Sequence, residues 1–194
     1  MTKAEELVIV IGGPAGTGKT TIGSKLAELL HCPFLEGDSF HSKANIDKMA
    51  QGIPLTDEDR YPWLTTLTEN AVETSTNDPS SISVVSCSML KKEYRKFIKS
   101  IGSHSSNIDE NVEVKFLFIF LYTDYQALLN RVAQRQDHYM KSDMVKSQYD
   151  IMEIPAEKDL IEEGGDEYGI NTTGRSIEDI LEEVYDVIKD ELHA

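Results

Sequence analysis

Short apolar runs rich in Val, Ile and Phe alternate along the chain with longer stretches of helical periodicity. Such runs are typical of buried strands, and the stretches between them are long enough to hold crossover helices. The alternation predicts an α/β fold with three layers, in which helices cover both faces of a parallel sheet. Five strands are expected, at residues 7–11, 33–36, 81–86, 114–121 and 168–171.

Three pairs of polar residues mark predicted helix starts. A hydroxyl residue at the N-cap, followed three positions later by an acid or amide, can satisfy two backbone N–H groups at once. The pairs are Thr56 with Asp59, Thr123 with Gln126, and Ser176 with Asp179. The last of these opens a C-terminal helix with an acidic outer face and an apolar face formed by Ile177, Ile180, Leu181, Val184, Ile188 and Leu192.

Two polar stretches interrupt this regular pattern. Residues 102–111 are rich in turn formers, so we expect a surface loop before the fourth strand. Residues 136–154 are polar and contain several Met, and they follow a predicted helix that carries Arg131 and Arg135. We expect this second stretch to form a lid.

Length and charge narrow the classes of function. A chain of 194 residues suits one domain, so we expect a single unit spanning residues 1–194. A formal net charge of -15 argues against a nucleic-acid partner, which requires clustered Lys and Arg. The N-terminal apolar run is too short for a membrane span, and Cys32 and Cys87 are expected to be buried thiols of a reducing compartment. These features predict a cytoplasmic protein that does not interact with membranes.

The clearest chemical signal is the segment GPAGTGKT between the first strand and the first helix, a G-x-x-x-x-G-K-[ST] phosphate-binding loop. Its backbone N–H groups surround phosphate oxygens because they converge at a helix N-terminus. The segment predicts binding of ATP with Mg²⁺, in which Lys19 reaches the phosphates and Thr20 ligates the metal. The expected nucleotide-binding residues here are Gly13, Pro14, Ala15, Gly16, Thr17, Gly18, Lys19, Thr20 and Thr21.

Phosphoryl transfer also requires cations around the transferring group. Arg131 and Arg135 are four residues apart on one predicted helix face, and His138 follows at the start of the polar stretch. A lid that carries these groups can close over the triphosphate and exclude water. An ordinary basic helix face is the alternative interpretation of the two arginines.

Carboxylates follow the second strand, at the sheet edge where α/β proteins bind their ligands. The third strand lacks a terminal Asp, so Glu36 or Asp38 is the natural partner for Mg²⁺. Asp38 is also the candidate catalytic base for an attacking hydroxyl. A helix N-cap is an alternative role for Asp38, and metal binding by His41 is disfavoured because no further His or Cys is spaced nearby.

Further basic residues, Arg60 and the pair Lys91 and Arg95, follow the second and third strands. Arg pairs with carboxylates and phosphates through two parallel hydrogen bonds, so these residues predict a small anionic acceptor. Trp63, beside Arg60, is interpreted as a core residue beneath its helix.

Several ordered blocks make the chain similar to the gluconate kinases, which phosphorylate D-gluconate to 6-phosphogluconate for the pentose phosphate pathway. Beyond the phosphate loop, the blocks are EGDSFH, ANIDKMAQGIPLTDEDRYPWL, CSMLKKEYR and RVAQRQDHYMKSDMVKSQYDIMEIP. The resemblance implies an adenylate-kinase-like P-loop fold with a substrate-binding helical segment near residues 38–76, a lid near 136–154 and, in many members, a homodimer.

The resemblance also implies residue roles. Arg131 is similar to the arginine that packs on adenine, and Arg135 to the one that reaches the phosphates. The implied acceptor pocket contains Asp38, His41, Arg60, Ser88, Lys91, Arg95 and His138. The chain departs from the family pattern at Glu36, where many members carry Asp, at Met89, where Ala is common, and in a longer loop at 102–111.

Two alternatives remain open from the sequence. A shikimate-type or other small-metabolite kinase would share the donor chemistry, but shikimate kinases place glycines where this chain has the block CSMLKKEYR. A protein that switches conformation with nucleotide and transfers no phosphate would need no acceptor pocket, whereas polar residues are plentiful on the acceptor side.

Overall fold

The computed structural model describes residues 4–103, 112–134 and 142–192. Five strands form one sheet, and every pair of neighbouring strands is parallel, in the order β2-β3-β1-β4-β5. The strands are β1 (Ala4–Gly12), β2 (Phe34–Glu36), β3 (Ile82–Ser86), β4 (Val112–Tyr122) and β5 (Glu167–Asn171). The predicted five-stranded parallel sheet is thereby confirmed.

Helices cover both faces of this sheet. They are α1 (Lys19–Leu30), α2 (Lys43–Ala50), α3 (Asp57–Asn77), α4 (Lys92–Ser103), α5 (Tyr125–Ala133), α6 (Ser142–Ile151) and α7 (Ile177–Ile188). Because side chains alternate along a strand, Val8 and Val10 of β1 lie in the core with α3 and α4, whereas Ile9 and Ile11 lie in the core with α1 and α7. The sheet is therefore buried on both sides, as its continuous apolar runs predict.

Two of the three predicted helix starts are confirmed. Thr56 and Asp59 form a reciprocal capping box at α3, and the Ser176 hydroxyl accepts from the Asp179 amide at α7. The prediction at Thr123 is wrong, because α5 begins one residue later with Asp124 at its N-cap. The Thr123 hydroxyl instead lies 2.9 Å from the Thr173 hydroxyl, which holds the end of β4 against the loop before α7.

The two polar stretches are only partly described. Residues 102 and 103 of the predicted loop belong to α4, and the rest of that loop lies outside the described residues. Within the predicted lid, residues 142–151 form α6, while Arg135 and His138 lie outside the described part. None of the helices in the described ranges combines the length and hydrophobicity that crossing a membrane requires.

Parallel pairing brings the carboxyl ends of the central strands to one edge. Glu36 at the end of β2 pairs with Ser86 at the end of β3, and Ser86 pairs with Ile11 of β1. The phosphate loop leaves β1 at this edge, so residues that are far apart in the sequence meet there.

Candidate active site

The phosphate loop has the backbone geometry that its sequence predicts. Gly13 has φ of 126°, and a Cβ at this position would lie 2.0 Å from the carbonyl oxygen of Leu121, so only glycine fits. The Thr17 hydroxyl and the Lys19 ammonium both donate to the carbonyl of Pro14, at 2.8 and 3.1 Å. These bonds hold the loop in a curve that ends at the N-terminus of α1.

A chain of hydrogen bonds joins this loop to the ends of β2 and β3. The Thr20 hydroxyl donates to one carboxylate oxygen of Glu36 at 2.6 Å, and the Ser86 hydroxyl donates to the other at 2.5 Å. The Ser86 oxygen in turn accepts from the Gly37 amide at 3.0 Å. Glu36 therefore fixes the hydroxyl that the sequence assigns to the metal.

This arrangement has the donor chemistry that Mg²⁺ prefers, a hydroxyl and a carboxylate at the mouth of a phosphate loop. Within the described residues, no group of three or more His, Cys, Asp or Glu side chains is arranged to hold a metal by itself. Thr20, held by Glu36, would therefore be the side chain that this site offers to a Mg²⁺ ion.

One cleft contains both the loop and most of the predicted acceptor residues. Besides the loop itself, its lining includes Asp38, His41, Arg60 and Ser88. Three apolar side chains, Met49, Leu55 and Met144, complete part of the wall. Asp38, His41, Arg60 and Ser88 thus share one continuous space with the phosphate loop.

His41 and Trp63 form a stacked pair beside Asp38. Their ring centroids are 4.1 Å apart, and the Trp63 indole N–H donates to the carbonyl of Gly37 at 2.8 Å. Burial lowers the pKa of His41 to about 4, although the carboxylate of Asp38 acts in the opposite direction. His41 is therefore neutral near pH 7, and Trp63 is a core residue as predicted. The alternative role for Asp38 as a helix N-cap is not observed, because Asp38 lies within the short turn Gly37–Phe40.

Arg60 is almost fully buried at the edge of this cleft. Its Nε donates to the carbonyl of Leu55 at 3.4 Å, and its guanidinium carbon lies 5.7 Å from the centre of the Tyr94 ring. These contacts set the direction of the guanidinium. Among the described residues on the acceptor side of the cleft, Arg60 supplies the positive charge.

Lys91 does not line the cleft. Its ammonium donates to both carboxylate oxygens of Asp57, at 2.9 and 3.0 Å, and lies over the ring of Tyr94. The Tyr94 hydroxyl also donates to Asp57, and the hydrogen bonds from Tyr94 and from Lys91 lower the pKa of the Asp57 carboxyl. Lys91 therefore links α3 to the start of α4, which differs from the predicted contact with substrate.

Arg95 also differs from its predicted place in the acceptor pocket. Its side chain is 1% exposed, and its Nε donates to Glu167 at 2.8 Å. A second guanidinium nitrogen donates to the carbonyl of Met89 at 3.2 Å, and the group lies over the Phe120 ring. The reason is the rotation of α4, which turns Arg95 into the core towards β5, so that Arg95 ties these elements together.

Arg131 lies beside the phosphate loop, as its predicted contact with nucleotide requires. Its guanidinium donates to Thr172 through both the hydroxyl and the carbonyl oxygen, each at 3.2 Å, and lies 3.5 Å from the carbonyl of Gly16. The predicted roles of Arg135 and His138 fall outside the described residues.

Sequence reasoning missed Gln148 of α6. Its side-chain oxygen accepts from the Ala15 amide of the phosphate loop at 2.8 Å, and the residue is 5% exposed. Met144, one turn earlier, packs with Met49 and Leu55. Their spacing of four residues on one helix face was the available signal, but nothing in the sequence indicated what that face would contact.

Comparison with known proteins places these observations in a family. The sequence model of the family described as shikimate kinase matches residues 15–189. A probable gluconokinase of Dictyostelium discoideum is 36% identical over 189 residues, which cover 96% of this chain and 88% of that protein. The thermosensitive gluconokinase of Escherichia coli K12 is 39% identical over 154 residues, covering 78% of this chain and 75% of its own length.

A solved structure agrees with this placement. The crystal structure of a gluconokinase from Sinorhizobium meliloti 1021 superposes with a TM-score of 0.75 at 29% identity, covering 96% of this chain and 93% of that one. Sequence identity, coverage and fold all point to the same group. The chain belongs to the gluconokinase family of P-loop kinases.

Proposed function

We propose that this protein transfers the γ-phosphoryl group of ATP to a hydroxyl of D-gluconate, giving ADP and 6-phospho-D-gluconate. The observation that carries the proposal is the single cleft in which Lys19 and Thr20 face Asp38, His41 and Arg60. Donor and acceptor must meet in one space for direct transfer, since a separate acceptor cavity would prevent contact between oxygen and phosphorus. The family's named members support the choice of substrate.

On the donor side, the amides of the phosphate loop and the Lys19 ammonium bind the β- and γ-phosphates. Thr20 and the carboxylate of Glu36 that holds it form the site for Mg²⁺. These two residues would hold the metal, which would supply positive charge to the phosphates. Arg131 is the proposed contact for adenine, and its hydrogen bonds to Thr172 hold it beside the phosphate loop.

On the acceptor side, Asp38 accepts the proton of the attacking hydroxyl. The hydroxyl oxygen forms a bond to the γ-phosphorus while the bond from that phosphorus to the β-phosphate oxygen breaks, and ADP leaves. Asp38 is suited to this role because its side chain is about half exposed at the cleft and no helix terminus uses it.

Arg60 is the proposed partner of the gluconate carboxylate. A planar guanidinium matches a carboxylate with two parallel hydrogen bonds, and Arg60 is already fixed by Leu55 and Tyr94. Ser88 and His41 add polar groups for the sugar hydroxyls. Met49, Leu55 and Met144 offer an apolar surface to the C–H groups of the carbon chain.

The segment 136–154 is the proposed lid, and Arg135 and His138 are its proposed phosphate and substrate contacts. The contact of Gln148 with Ala15 supports a lid that meets the phosphate loop directly. The segment 38–76 is the proposed substrate-binding part of one kinase domain. We also propose a cytoplasmic location, in keeping with the two free thiols.

An assay of ADP release across several acceptors tests the substrate. D-gluconate, shikimate, pantothenate and nucleoside monophosphates are compared at equal concentration with ATP and Mg²⁺. We expect turnover with gluconate to exceed the others by at least about 10³-fold, because wrong ligands leave several buried polar groups unpaired. Turnover on another acceptor without turnover on gluconate would overturn the substrate assignment.

The match to the shikimate kinase family model favours shikimate as the second candidate acceptor. Shikimate also carries a carboxylate and hydroxyls, so Arg60 would serve it equally well. The two substrates are separated by the same assay, and a variant such as Arg60→Lys should raise the KM of the true acceptor while leaving the KM of ATP nearly unchanged.

A further inference from the structure

Behind Asp38 lies a chain of buried polar contacts that the proposed reaction does not by itself explain. The imidazole of His41 presents Nε2 to Asp38, 3.8 Å from its carboxylate oxygen, and presents Nδ1 to Asn45. Asn45 in turn reaches the backbone carbonyl of Asp59 near the start of α3. The His41 side chain is 4% exposed and Asn45 is 5% exposed, so water has little access to these bonds.

The orientation of the Asn45 amide is determined by its surroundings. One side-chain atom of Asn45 lies 3.0 Å from the carbonyl oxygen of Asp59, which can only accept a hydrogen bond. This atom must therefore be the NH₂ nitrogen, because the opposite orientation would bring two oxygen acceptors into contact inside the protein.

The same nitrogen determines the state of the imidazole. It lies 3.4 Å from Nδ1 of His41, and an amide NH₂ group can donate but has no lone pair to offer. Nδ1 must then be the acceptor, and the proton of a neutral imidazole must sit on Nε2. Protonation of Nδ1 would direct one N–H group at another.

We infer that Asn45 is a positioning residue that fixes His41 as the neutral Nε2–H tautomer, so that His41 presents a hydrogen-bond donor to Asp38 and to the acceptor end of the cleft. The nearest carboxylate oxygen of Asp38 lies 3.8 Å from Nε2, so an N–H group at Nε2 lies beside the proposed proton acceptor. The consequence for catalysis rests on the proposed function, whereas the tautomer does not.

Two further contacts fix the plane of the His41 ring and the position of Asn45. His41 is stacked on Trp63 with 20° between the ring planes, and Trp63 is anchored to Gly37 by its indole N–H. The backbone amide of Asn45 is held by the Ser42 hydroxyl at the N-cap of α2. The tautomer is therefore set by α2 and α3 together.

Long-range ¹H–¹⁵N NMR of the full-length, ¹⁵N-labelled protein at pH 7 tests the inference without any turnover. The five histidines give separate patterns, and loss of one pattern in His41→Gln assigns His41. We expect a protonated Nε2 and an unprotonated Nδ1. A proton on Nδ1, or on both nitrogens, would overturn the inference.

Asn45→Asp tests the role of Asn45. The new carboxylate can only accept, so the proton of His41 should move to Nδ1 or both nitrogens should become protonated. Asn70→Asp on α3 adds the same charge outside the cleft and should leave the spectrum of His41 unchanged. An unchanged Nε2–H pattern in Asn45→Asp would refute the role of Asn45. If Asn45→Asp does not fold, Asn45→Ala serves in its place and should give a mixture of the two His41 tautomers. A single Nε2–H form in Asn45→Ala would then refute the role.

Kinetics test the consequence for catalysis. Asn45→Ala should lower kcat about 10-fold while the KM of ATP changes little, as expected for a residue that acts through another. His41→Gln, whose amide can replace the Nε2–H donor, should retain more activity than His41→Leu. Equal losses of activity in the two His41 variants would contradict the role of His41 as a hydrogen-bond donor. If gluconate is not the acceptor, the NMR test of the tautomer remains valid because it does not depend on turnover.

Discussion

Thr20 and Glu36 belong to different elements, yet a hydrogen bond of 2.6 Å joins their side chains. The second Glu36 oxygen is held by Ser86, so the carboxylate cannot turn away from the phosphate loop. A glutamate reaches Thr20 directly here, where many relatives are expected to carry the shorter aspartate. In the proposed function, Glu36 would act on Mg²⁺ indirectly, by fixing the Thr20 hydroxyl that would ligate the metal.

Glu36→Gln should lower kcat by roughly 10- to 100-fold, because a neutral amide holds Thr20 and its metal less firmly. The Mg²⁺ concentration for half-maximal activity should rise as well, which titration of MgCl₂ at fixed ATP measures. Glu28→Gln on the exposed face of α1 removes the same charge and serves as the control. An unchanged Mg²⁺ dependence in Glu36→Gln would show that the Glu36 carboxylate has only a structural role and does not support metal binding.

His41 should make folding stability depend on pH. Burial lowers its pKa to about 4, from about 6.5 for an ordinary histidine. Between these values the unfolded chain binds a proton that the folded protein does not, so stability falls as the pH drops through this window. Urea unfolding at pH 7 and pH 4.5 should show a loss on the order of 2 to 3 kcal/mol from this group. His41→Gln should reduce the difference, and an equal difference in both proteins would contradict the assignment.

At the scale of elements, α4 and β5 are joined by the pair of Arg95 and Glu167. Burial raises the pKa of the Glu167 carboxyl, and the neighbouring guanidinium counteracts this rise. A buried charge that loses its partner is more costly than the pair itself is stabilising. This pair therefore makes the position of α4 depend on β5.

Arg95→Ala should lower the free energy of unfolding by about 3 to 5 kcal/mol, because it leaves Glu167 buried and unpaired. Arg175→Ala, which breaks the partly exposed pair with Glu183, should cost less than about 1 kcal/mol and is the matched control. Urea unfolding measures both. A raised KM for gluconate in Arg95→Ala with unchanged stability would instead restore the acceptor role that the sequence suggested.

The helix α6 contacts two parts of the site at once. Gln148 accepts from the phosphate loop, and Met144 packs against Met49 and Leu55 near α2. Because the two contacts lie on one face of one short helix, a shift of α6 must disturb both. This arrangement suits an element that responds to nucleotide and acceptor together.

Gln148→Leu should loosen α6, because the Ala15 amide loses its acceptor and the helix loses its polar anchor. Hydrogen exchange measured by mass spectrometry should become faster in peptides covering residues 142–151. Lys146→Met, on the exposed side of the same helix, should leave this exchange unchanged. Identical exchange in Gln148→Leu and the native protein would show that the contact does not hold α6.

At the scale of the whole molecule, the parallel sheet places the ends of β1, β2 and β3 at one edge, and the cleft lies there. The net charge of -15 is carried largely by surface acids such as those of α7, which line an open groove with Arg175 and Tyr168. In the proposed function, the anionic substrates are held instead by the cations Lys19 and Arg60 inside the cleft.

The family resemblance favours a homodimer. Sedimentation equilibrium at micromolar concentration should then give a mass about twice the 21.8 kDa of one chain. Exposed apolar side chains offer candidate contacts, among them Leu29, Ile46 and Ile53. Replacing each by a charged residue in turn should reveal which surface holds the two copies together, and a mass of one chain at all concentrations would contradict the dimer.

Local signals in the sequence were sufficient to predict the strands and the phosphate loop of this protein. Alternating apolar runs gave the five strands, because a strand buried on both faces has a recognisable composition. The phosphate loop was predictable because its backbone geometry requires glycine at set positions, as Gly13 illustrates. Thr123 was assigned wrongly because a hydroxyl can bond to a distant partner, here Thr173, as well as to its own helix.

The sequence by itself determined which groups the protein has for phosphoryl transfer, since residue types and short spacings carry that information. Only the tertiary structure decided which of them reach the cleft. Arg60 faces it, whereas Arg95 is turned inward to Glu167, a residue 72 positions away. Gln148 reaches a loop 133 positions away. Contacts at such separations depend on how helices rotate against the sheet, and that rotation is set by packing of the whole core rather than by any local pattern.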